Sequence, residues 1–304
     1  MHIRKAAQLI GHNASIFALA EGRDDQHFLS GAGDGWVAEW DFNNPETGRL
    51  TAKVDAQIFS LLFLKKQNKL VIGNMNGGVH WVNLDDASLT KNIAHHQKGV
   101  YEIREIHESV FTLGGDGKVT RWQPDEARSL ETFHLSHQAL RCMDFCEQRN
   151  ELAIGCSDNS IYFLDADTLE LKHTLPNAHA NSVFSVRYGP GANYLLSGGR
   201  DAHLNGWDLE HGFRKFLSEP AHWYTINDIA IHPGGRYFAT ASRDKTLKIW
   251  DAGNFSLLKV LEAARDGGHM NSVNKLLWSK HENTLLSCSD DRTIILWAVE
   301  SWDR

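Results

Sequence analysis

The chain repeats itself, and the length of the repeat limits what it can fold into. Five segments end alike: Asp34-Gly-Trp-Val-Ala-Glu-Trp40, Asp116-Gly-Lys-Val-Thr-Arg-Trp122, Asp201-Ala-His-Leu-Asn-Gly-Trp207, Asp244-Lys-Thr-Leu-Lys-Ile-Trp250 and Asp291-Arg-Thr-Ile-Ile-Leu-Trp297. Each places an Asp six residues before a Trp, with apolar residues alternating between them. Two weaker copies, Asn76-Gly-Gly-Val-His-Trp-Val82 and Asp158-Asn-Ser-Ile-Tyr-Phe-Leu164, fill the gaps. The end positions are then 40, 82, 122, 164, 207, 250 and 297, spaced by 42, 40, 42, 43, 43 and 47 residues. Seven units of roughly 43 residues account for all 304, a length that could otherwise be two ordinary domains, so a single repeat domain over 1–304 is expected.

Two further landmarks keep the same register. A histidine precedes the unit end by 27 or 28 residues in six units: His12, His95, His137, His179, His222 and His269. Four residues before each turn Asp of the five strong units stands a hydroxyl: Ser30, Thr112, Ser197, Thr240 and Ser287. Units two and four carry Ile72 and Ile154 there, and Val82 and Leu164 in place of the Trp. Hydroxyl and indole are lost together, as one physical network would require.

Within a unit the local pattern is all strand. Val183–Tyr188 and Ile226–Ile231 are short apolar runs of β type, followed by the turn clusters Gly189-Pro-Gly-Ala-Asn193 and His232-Pro-Gly-Gly-Arg236. Next come Tyr194–Ser197 and Tyr237–Thr240, the Asp-containing tight turn, the strand ending in Trp, and a more polar strand such as Ser256–Leu261. Helical periodicity is missing. Four strands per unit at this period predict an all-β, seven-bladed propeller of four-stranded antiparallel blades.

These residues resemble the WD40-repeat β-propeller family. Trp40-Asp41, Trp207-Asp208 and Trp250-Asp251 are its signature dipeptide, and Gly11-His12 and Gly268-His269 the other half of its signature. Departures are confined to units two and four and to Trp122-Gln123 and Trp297-Ala298, where the Asp is missing. The last unit stops at Glu300 without a fourth strand, while Ile3–Ile10 reads as an orphan strand. The resemblance implies that this N-terminal strand completes the last blade and closes the ring.

His, Asp and Ser or Thr together invite a hydrolase-triad reading. The set recurs once per strong unit, each time with a Trp, and the resemblance implies a structural network. Its members are His12, Ser30, Asp34 and Trp40; His95, Thr112, Asp116 and Trp122; His179, Ser197, Asp201 and Trp207; His222, Thr240, Asp244 and Trp250; and His269, Ser287, Asp291 and Trp297. Other chemistry fails on inspection. Gly114–Lys118 is a hairpin turn and not a phosphate loop, because Val119 stands where such a loop needs a hydroxyl. His95-His96 and His134-Leu-Ser-His137 lack a third metal ligand at sensible spacing. No catalytic residue, cofactor or metal is expected.

A propeller binds at the rim of its central channel. Aligning the first strands on Ile16, Ile58, Val100, Leu140, Val183, Ile226 and Val273 puts the next residue toward one face: Phe17, Phe59, Tyr101, Arg141, Phe184, Asn227 and Asn274. The residue before each turn Asp adds Met75, Arg200, Arg243 and Asp290, along with Gly33, Gly115 and Ser157, and Trp223 and Tyr224 join the same side. Aromatics and arginines are enriched at interface hot spots. A docking site for a peptide or loop is expected there, with an apolar side chain or a cation between rings and a carboxylate near the arginines. The alternative is that the aromatics only plug the channel mouth. The loop Ala263–Gly268 is four residues longer than its counterpart and reads as a mobile flap or, more simply, a tolerated insertion.

Composition narrows the function classes. Net charge is −7, with 31 basic against 38 acidic residues, which disfavours a phosphate-tracking nucleic-acid protein. No apolar run of 18 residues and no signal-peptide core occur, and the four cysteines (Cys142, Cys146, Cys156, Cys288) do not form a disulfide framework. A cytoplasmic protein, monomeric on its own, that scaffolds a protein or peptide partner without catalysis is the leading expectation, with no nucleic acid and no membrane. The alternative is phosphopeptide or small-ligand binding through Arg141, Arg200 and Arg243. Ten Trp and 17 His are a surplus that the repeat explains in part, leaving Trp36, Trp81, Trp223, Trp278 and Trp302 over.

Overall fold

A computed structural model describes residues 2–300. Its strands form seven four-stranded antiparallel sheets. Six are runs of consecutive hairpins; blade six, for example, is Ile226–Ile231, Tyr237–Ser242, Leu247–Asp251 and Leu257–Leu261. The seventh takes three strands, Val273–Trp278, Thr284–Ser289 and Thr293–Glu300, from the end of the chain. Its fourth is the N-terminal strand His2–Ile10, antiparallel to the last, with His2 opposite Glu300 and Ile10 opposite Thr293. The orphan strand therefore closes the ring as expected. Trp302 and the other residues beyond 300 lie outside the described part.

The inner strands are buried at nearly every residue, so each blade has two buried, largely apolar faces, and each face packs against a neighbouring blade. Leu196 and Leu204 of blade five are in one buried cluster with Ile226, Ile229, Phe238 and Trp250 of blade six. Ile3 joins Trp278, Leu285 and Trp297, so the N-terminal strand is bound by packing as well as by its ladder. The sheets approach closely: a Cβ on Gly198 would lie 2.6 Å from Ile226 Cγ2, so only glycine fits. Trp278 donates its indole N–H to Ala230 O at 3.0 Å across the blade six–seven boundary, and Trp81 is buried in blade two. The inserted loop is ordered as one helical turn, Ala263–Asp266, ended by Gly267 at φ 67° and tied down by Lys259–Asp266 (2.9 Å) and by Lys5 Nζ on Gly267 O (2.9 Å).

One irregularity recurs in every blade. The register between first and second strands slips once, skipping Phe17, Phe59, Tyr101, Arg141, Phe184, Asn227 and Asn274. Each skipped residue follows the aligned apolar residue of its first strand. A bulge of this kind turns the extra side chain out of the sheet's alternation.

Candidate docking face

The recurring polar residues form one network per strong blade. In blade six, His222 Nε2 lies 2.7 Å from Thr240 Oγ1 and His222 Nδ1 2.9 Å from Asp244, while the Trp250 indole N–H donates to Thr240 Oγ1 at 3.0 Å. Blades one, five and seven repeat it through His12–Ser30–Trp40, His179–Ser197–Trp207 and His269–Ser287–Trp297, each histidine also on its Asp. One proton arrangement uses every donor once: indole N–H to hydroxyl oxygen, hydroxyl O–H to Nε2, Nδ1–H to carboxylate. Burial holds the His12 and His222 imidazoles below the usual histidine range, favouring the neutral ring this arrangement needs. Burial alone would raise the Asp201 carboxyl and is the largest single influence, but the His179 ring and the Ala180 and His203 backbone N–H groups together outweigh it and lower the group to about 2.

Serine, histidine and aspartate here have triad distances without triad chemistry. Ser30, Ser197 and Ser287 are fully buried, and each oxygen already accepts an indole N–H, so none can reach a substrate.

The structure corrects two histidine assignments. In blade three the network residue is His96, with Nε2 2.9 Å from Thr112 and Nδ1 3.0 Å from Asp116. His95 instead touches Thr120 at 2.9 Å and stands edge-on to Trp122. The cause is loop length: histidine and Asp are 22 residues apart in blade one but 20 in blade three. His137 of blade four also stays outside; Asp158 accepts from Ser136 Oγ (2.7 Å) and Tyr162 OH (2.6 Å), and His137 stands edge-on to His134. Blade two substitutes an Asn74–His80–Asn92 chain, with contacts of 2.9 and 2.7 Å, which the repeat pattern did not reveal.

The Asp after each Trp has a separate task. Asp41, Asp208 and Asp251 accept backbone N–H groups of the turn that leads to the fourth strand. Asn83 and Gln123 do the same in blades two and three. Ala298 needs no such group, because blade seven has no turn there: its fourth strand arrives from the N-terminus.

The seven bulged residues ring one mouth of the channel. Phe17 meets Phe59 edge-on at 5.5 Å, and Phe59 stacks on Tyr101 at 5.4 Å. The Arg141 guanidinium lies 4.4 Å from the Tyr101 ring centre and 5.3 Å from that of Phe184. Asn227 donates to Val273 O at 2.8 Å, and Asn274 to Ile16 O at 2.9 Å and to Asp290 at 2.8 Å, which joins the ring back to blade one. The sequence placed these residues together, and the geometry is a chain of contacts around the rim. The aromatics touch one another, as the plugging alternative expects, yet all seven stay partly exposed.

A second circle surrounds the first. The residue before each turn Asp donates its backbone N–H to the loop residue preceding the first strand, as in Arg200 to Ser182 O (2.9 Å) and Arg243 to Thr225 O (3.0 Å). Both arginine side chains are exposed, and Met75 keeps 47% of its surface in solvent. The backbone N–H groups of Trp223 and Met270 are fixed on Asp244 and Asp291, at 3.1 and 2.9 Å. Their side chains, with Tyr224, project outward at 87% (Trp223), 70% (Met270) and 61% (Tyr224) exposure. The sequence missed Met270; its position directly after His269, matching Trp223 after His222, is the signal that could have found it.

Deeper in the first strands the channel is charged. Asp228, almost fully buried, accepts from Ser185 Oγ, Arg187 Nη2 and Leu276 N–H at 3.1, 3.0 and 3.1 Å. Lys275 lies 3.8 Å from the same carboxylate and reaches Glu102 of blade three at 3.3 Å. Arg104 bonds Asp144 at 3.0 Å. Glu102, Arg104, Arg187 and Lys275 line a cavity of about 660 Å³ with Leu19, Leu61 and Ile103. Their charges are matched within the protein, which is the signature of a strut and not of an empty ligand site. The four cysteines are free and buried, and burial raises the Cys142 thiol to about 12, so none is a reactive thiolate. Among the described residues no cluster of three or more His, Cys, Asp or Glu could hold a metal, and no helix is long and apolar enough to cross a membrane.

Seven radial sheets around a channel, each clamped by a His–Asp–hydroxyl–Trp network or a substitute for it, define a β-propeller of the repeat class. The repeat described as "WD domain, G-beta repeat" matches residues 4–41, 169–208, 214–251 and 256–298, and the chain belongs to the WD40-repeat family. The long stretch it leaves unmatched, 42–168, holds blades two and three and the first three strands of blade four, where the networks are altered or shifted. The chain is 26% identical over 294 residues to Protein tipD of Dictyostelium discoideum, covering 94% of this chain and 47% of that one. It is 24% identical to Protein groucho of Drosophila melanogaster over 67% of this chain and 28% of the other. It thus spans less than half the length of these curated relatives. The WD40 β-propeller domain of Doa1 superposes with a TM-score of 0.85 at 17% identity, over 99% of this chain and 98% of that domain, a likeness of fold.

Proposed function

We propose that this chain is a non-catalytic protein-interaction scaffold, the role that propellers of this family generally fill, and that it docks a peptide or loop of a partner on the face around the channel mouth. The observation that carries the reading is the ring of seven bulged residues. A bulge in every first strand aims a side chain at the same rim, and the result is aromatic or arginine in five blades and asparagine in two. Such a ring beside the exposed Trp223 and Tyr224 is an interface composition. Arg141 already fills the slot between Tyr101 and Phe184, so a partner contributes an apolar side chain or an anion there, not a cation. A cytoplasmic, monomeric protein with no nucleic-acid or membrane partner accords with four unbridged cysteines and a net charge of −7.

Replacing Phe59→Ala together with Phe184→Ala tests the reading. Capture of the native partner from lysate is expected to disappear while the β-sheet circular dichroism spectrum is retained; undiminished capture by the double variant refutes it.

A further inference from the structure

We infer that the partner segment is acidic: an extended stretch of Asp and Glu residues interrupted by one large apolar side chain, laid across blades four to seven. This rests on the docking face proposed above and specifies its ligand. The protein is acidic as a whole, yet around this mouth stand Lys98, Arg141, Arg200, Arg243, Lys245 and Arg292, none with a carboxylate within ion-pair distance among the described residues. The carboxylates at the turns and rim of these blades are already engaged, and the exposed Asp55 stands at the entry to blade two, outside the arc. The turn Asp residues are held by blade histidines or hydroxyls and by backbone N–H groups, and Asp290 accepts from Asn274. Arg141 spends only its Nε, on Ser157 Oγ at 2.8 Å, and its terminal nitrogens make no hydrogen bond among the described residues.

Backbone conformation adds to the charge pattern. Lys245 and Arg292 occupy the turn position that Gly35, Gly77 and Gly117 fill in blades one to three, at φ 76° and 68°, where a side chain is disfavoured. A long cation is therefore kept at the tips of blades six and seven at a conformational cost. The apolar residues lie on the same sector: Trp223 and Tyr224 on the loop entering blade six, Met270 on the loop entering blade seven. A basic arc on an acidic molecule attracts an acidic segment and repels its own kind, and an exposed indole gives that segment an apolar anchor. Carboxylates suit it better than one phosphate, because the cations are distributed over several blades instead of converging on one point.

The test selects random dodecapeptides displayed on phage against the whole chain and measures fluorescein-labelled synthetic versions by anisotropy at low and high salt. Selected peptides are expected to be rich in Asp and Glu around a Trp, Phe or Leu and to weaken steeply with salt. Arg200→Glu with Arg243→Glu, both exposed and outside any ion pair, is expected to cost about tenfold or more in affinity and to switch a fresh selection toward Lys and Arg. Trp223→Ser removes the preference for the apolar residue. Peptides without acidic bias, or acidic peptides that bind the double variant equally well, overturn the inference. So does tenfold tighter binding of a phosphoserine peptide than of its Glu counterpart, or of a single-stranded RNA oligonucleotide than of the acidic peptide. If Phe59→Ala/Phe184→Ala still abolishes native capture in those cases, the docking face stands and only its acidic ligand is wrong; if capture is undiminished, the face itself falls.

Discussion

Replacing Thr240→Val in blade six isolates the network that recurs around the ring. The substitution keeps the shape of the side chain and removes one oxygen. Thr240 is fully buried, and its hydroxyl serves both the Trp250 indole N–H at 3.0 Å and His222 Nε2 at 2.7 Å. Both groups are left without a partner in a site that water does not reach. Each orphaned polar group costs about 1–3 kcal/mol, partly offset by the better burial of a methyl than of a hydroxyl, so a net loss of about 2–4 kcal/mol is expected. With an unfolding entropy near ~2 cal/mol/K per residue, a chain of this length loses about 3–6 °C in melting temperature. Thr240→Ser keeps the oxygen and is the control, with about 1 kcal/mol or less at stake. Urea unfolding of both, in the wild-type and Trp250→Phe backgrounds, completes a double-mutant cycle. Because phenylalanine has no N–H to orphan, Thr240→Val should cost about 1 kcal/mol less beside it. Equal losses for Val and Ser, or strict additivity with Trp250→Phe, would refute the network.

Three further outcomes follow from the same contacts. Removing residues 1–10 strips the outer strand from blade seven and exposes the ladder of Thr293–Glu300, so the melting temperature should fall markedly; an unchanged melt refutes ring closure by that strand. Asp228→Asn leaves Arg187 without its buried counter-charge and Lys275 with Glu102 alone, and is expected to cost about 3–5 kcal/mol by chemical denaturation; a loss below about 1 kcal/mol shows that the charges are solvated in the channel. Acid should destabilise in two stages. His12 and His222 have lowered values in the folded chain, so the unfolded chain takes up their protons first and stability declines as pH falls below about 6.5. Asp116 and Asp201, lowered to about 2, contribute stability that is present above about 4 and lost as pH falls toward 2. Melts recorded from neutral pH to pH 3 check both, and a flat profile between pH 7 and 5 contradicts the first.

The repeat made the fold legible because its period is long and its marker residues, Asp and Trp, are spaced by the geometry of one tight turn. The rim residues were legible for the same reason: once the first strands were aligned, the bulged position fell out of the register, although nothing local announces a bulge. The errors arose where spacing and contact disagree. His95 satisfies the sequence interval, but the connection into blade three is shorter, so His96 reaches Thr112 and Asp116. His137 keeps its place in the interval but finds Ile154 where the hydroxyl belongs, and Ser136 takes Asp158. The Lys275–Glu102 contact joins blades on opposite sides of the channel, and no periodic pattern reports an interaction across the centre of a ring.

The pairing of His2–Ile10 with Thr293–Glu300 also orders events while the chain is being made. Synthesis runs from the N-terminus, so of the described strands the first to leave the ribosome must wait for the last. Hairpins of the first six blades can form as they emerge, from contacts close in sequence. Joining partners such as Arg4 and Glu300, 296 residues apart, costs about 5 kcal/mol in loop-closure entropy unless the intervening blades have already brought the ends together. Until then each molecule carries a free strand and a matching free sheet edge. Two molecules released side by side hold each other's missing pieces, and local concentration sets how often they exchange strands before closing their own rings.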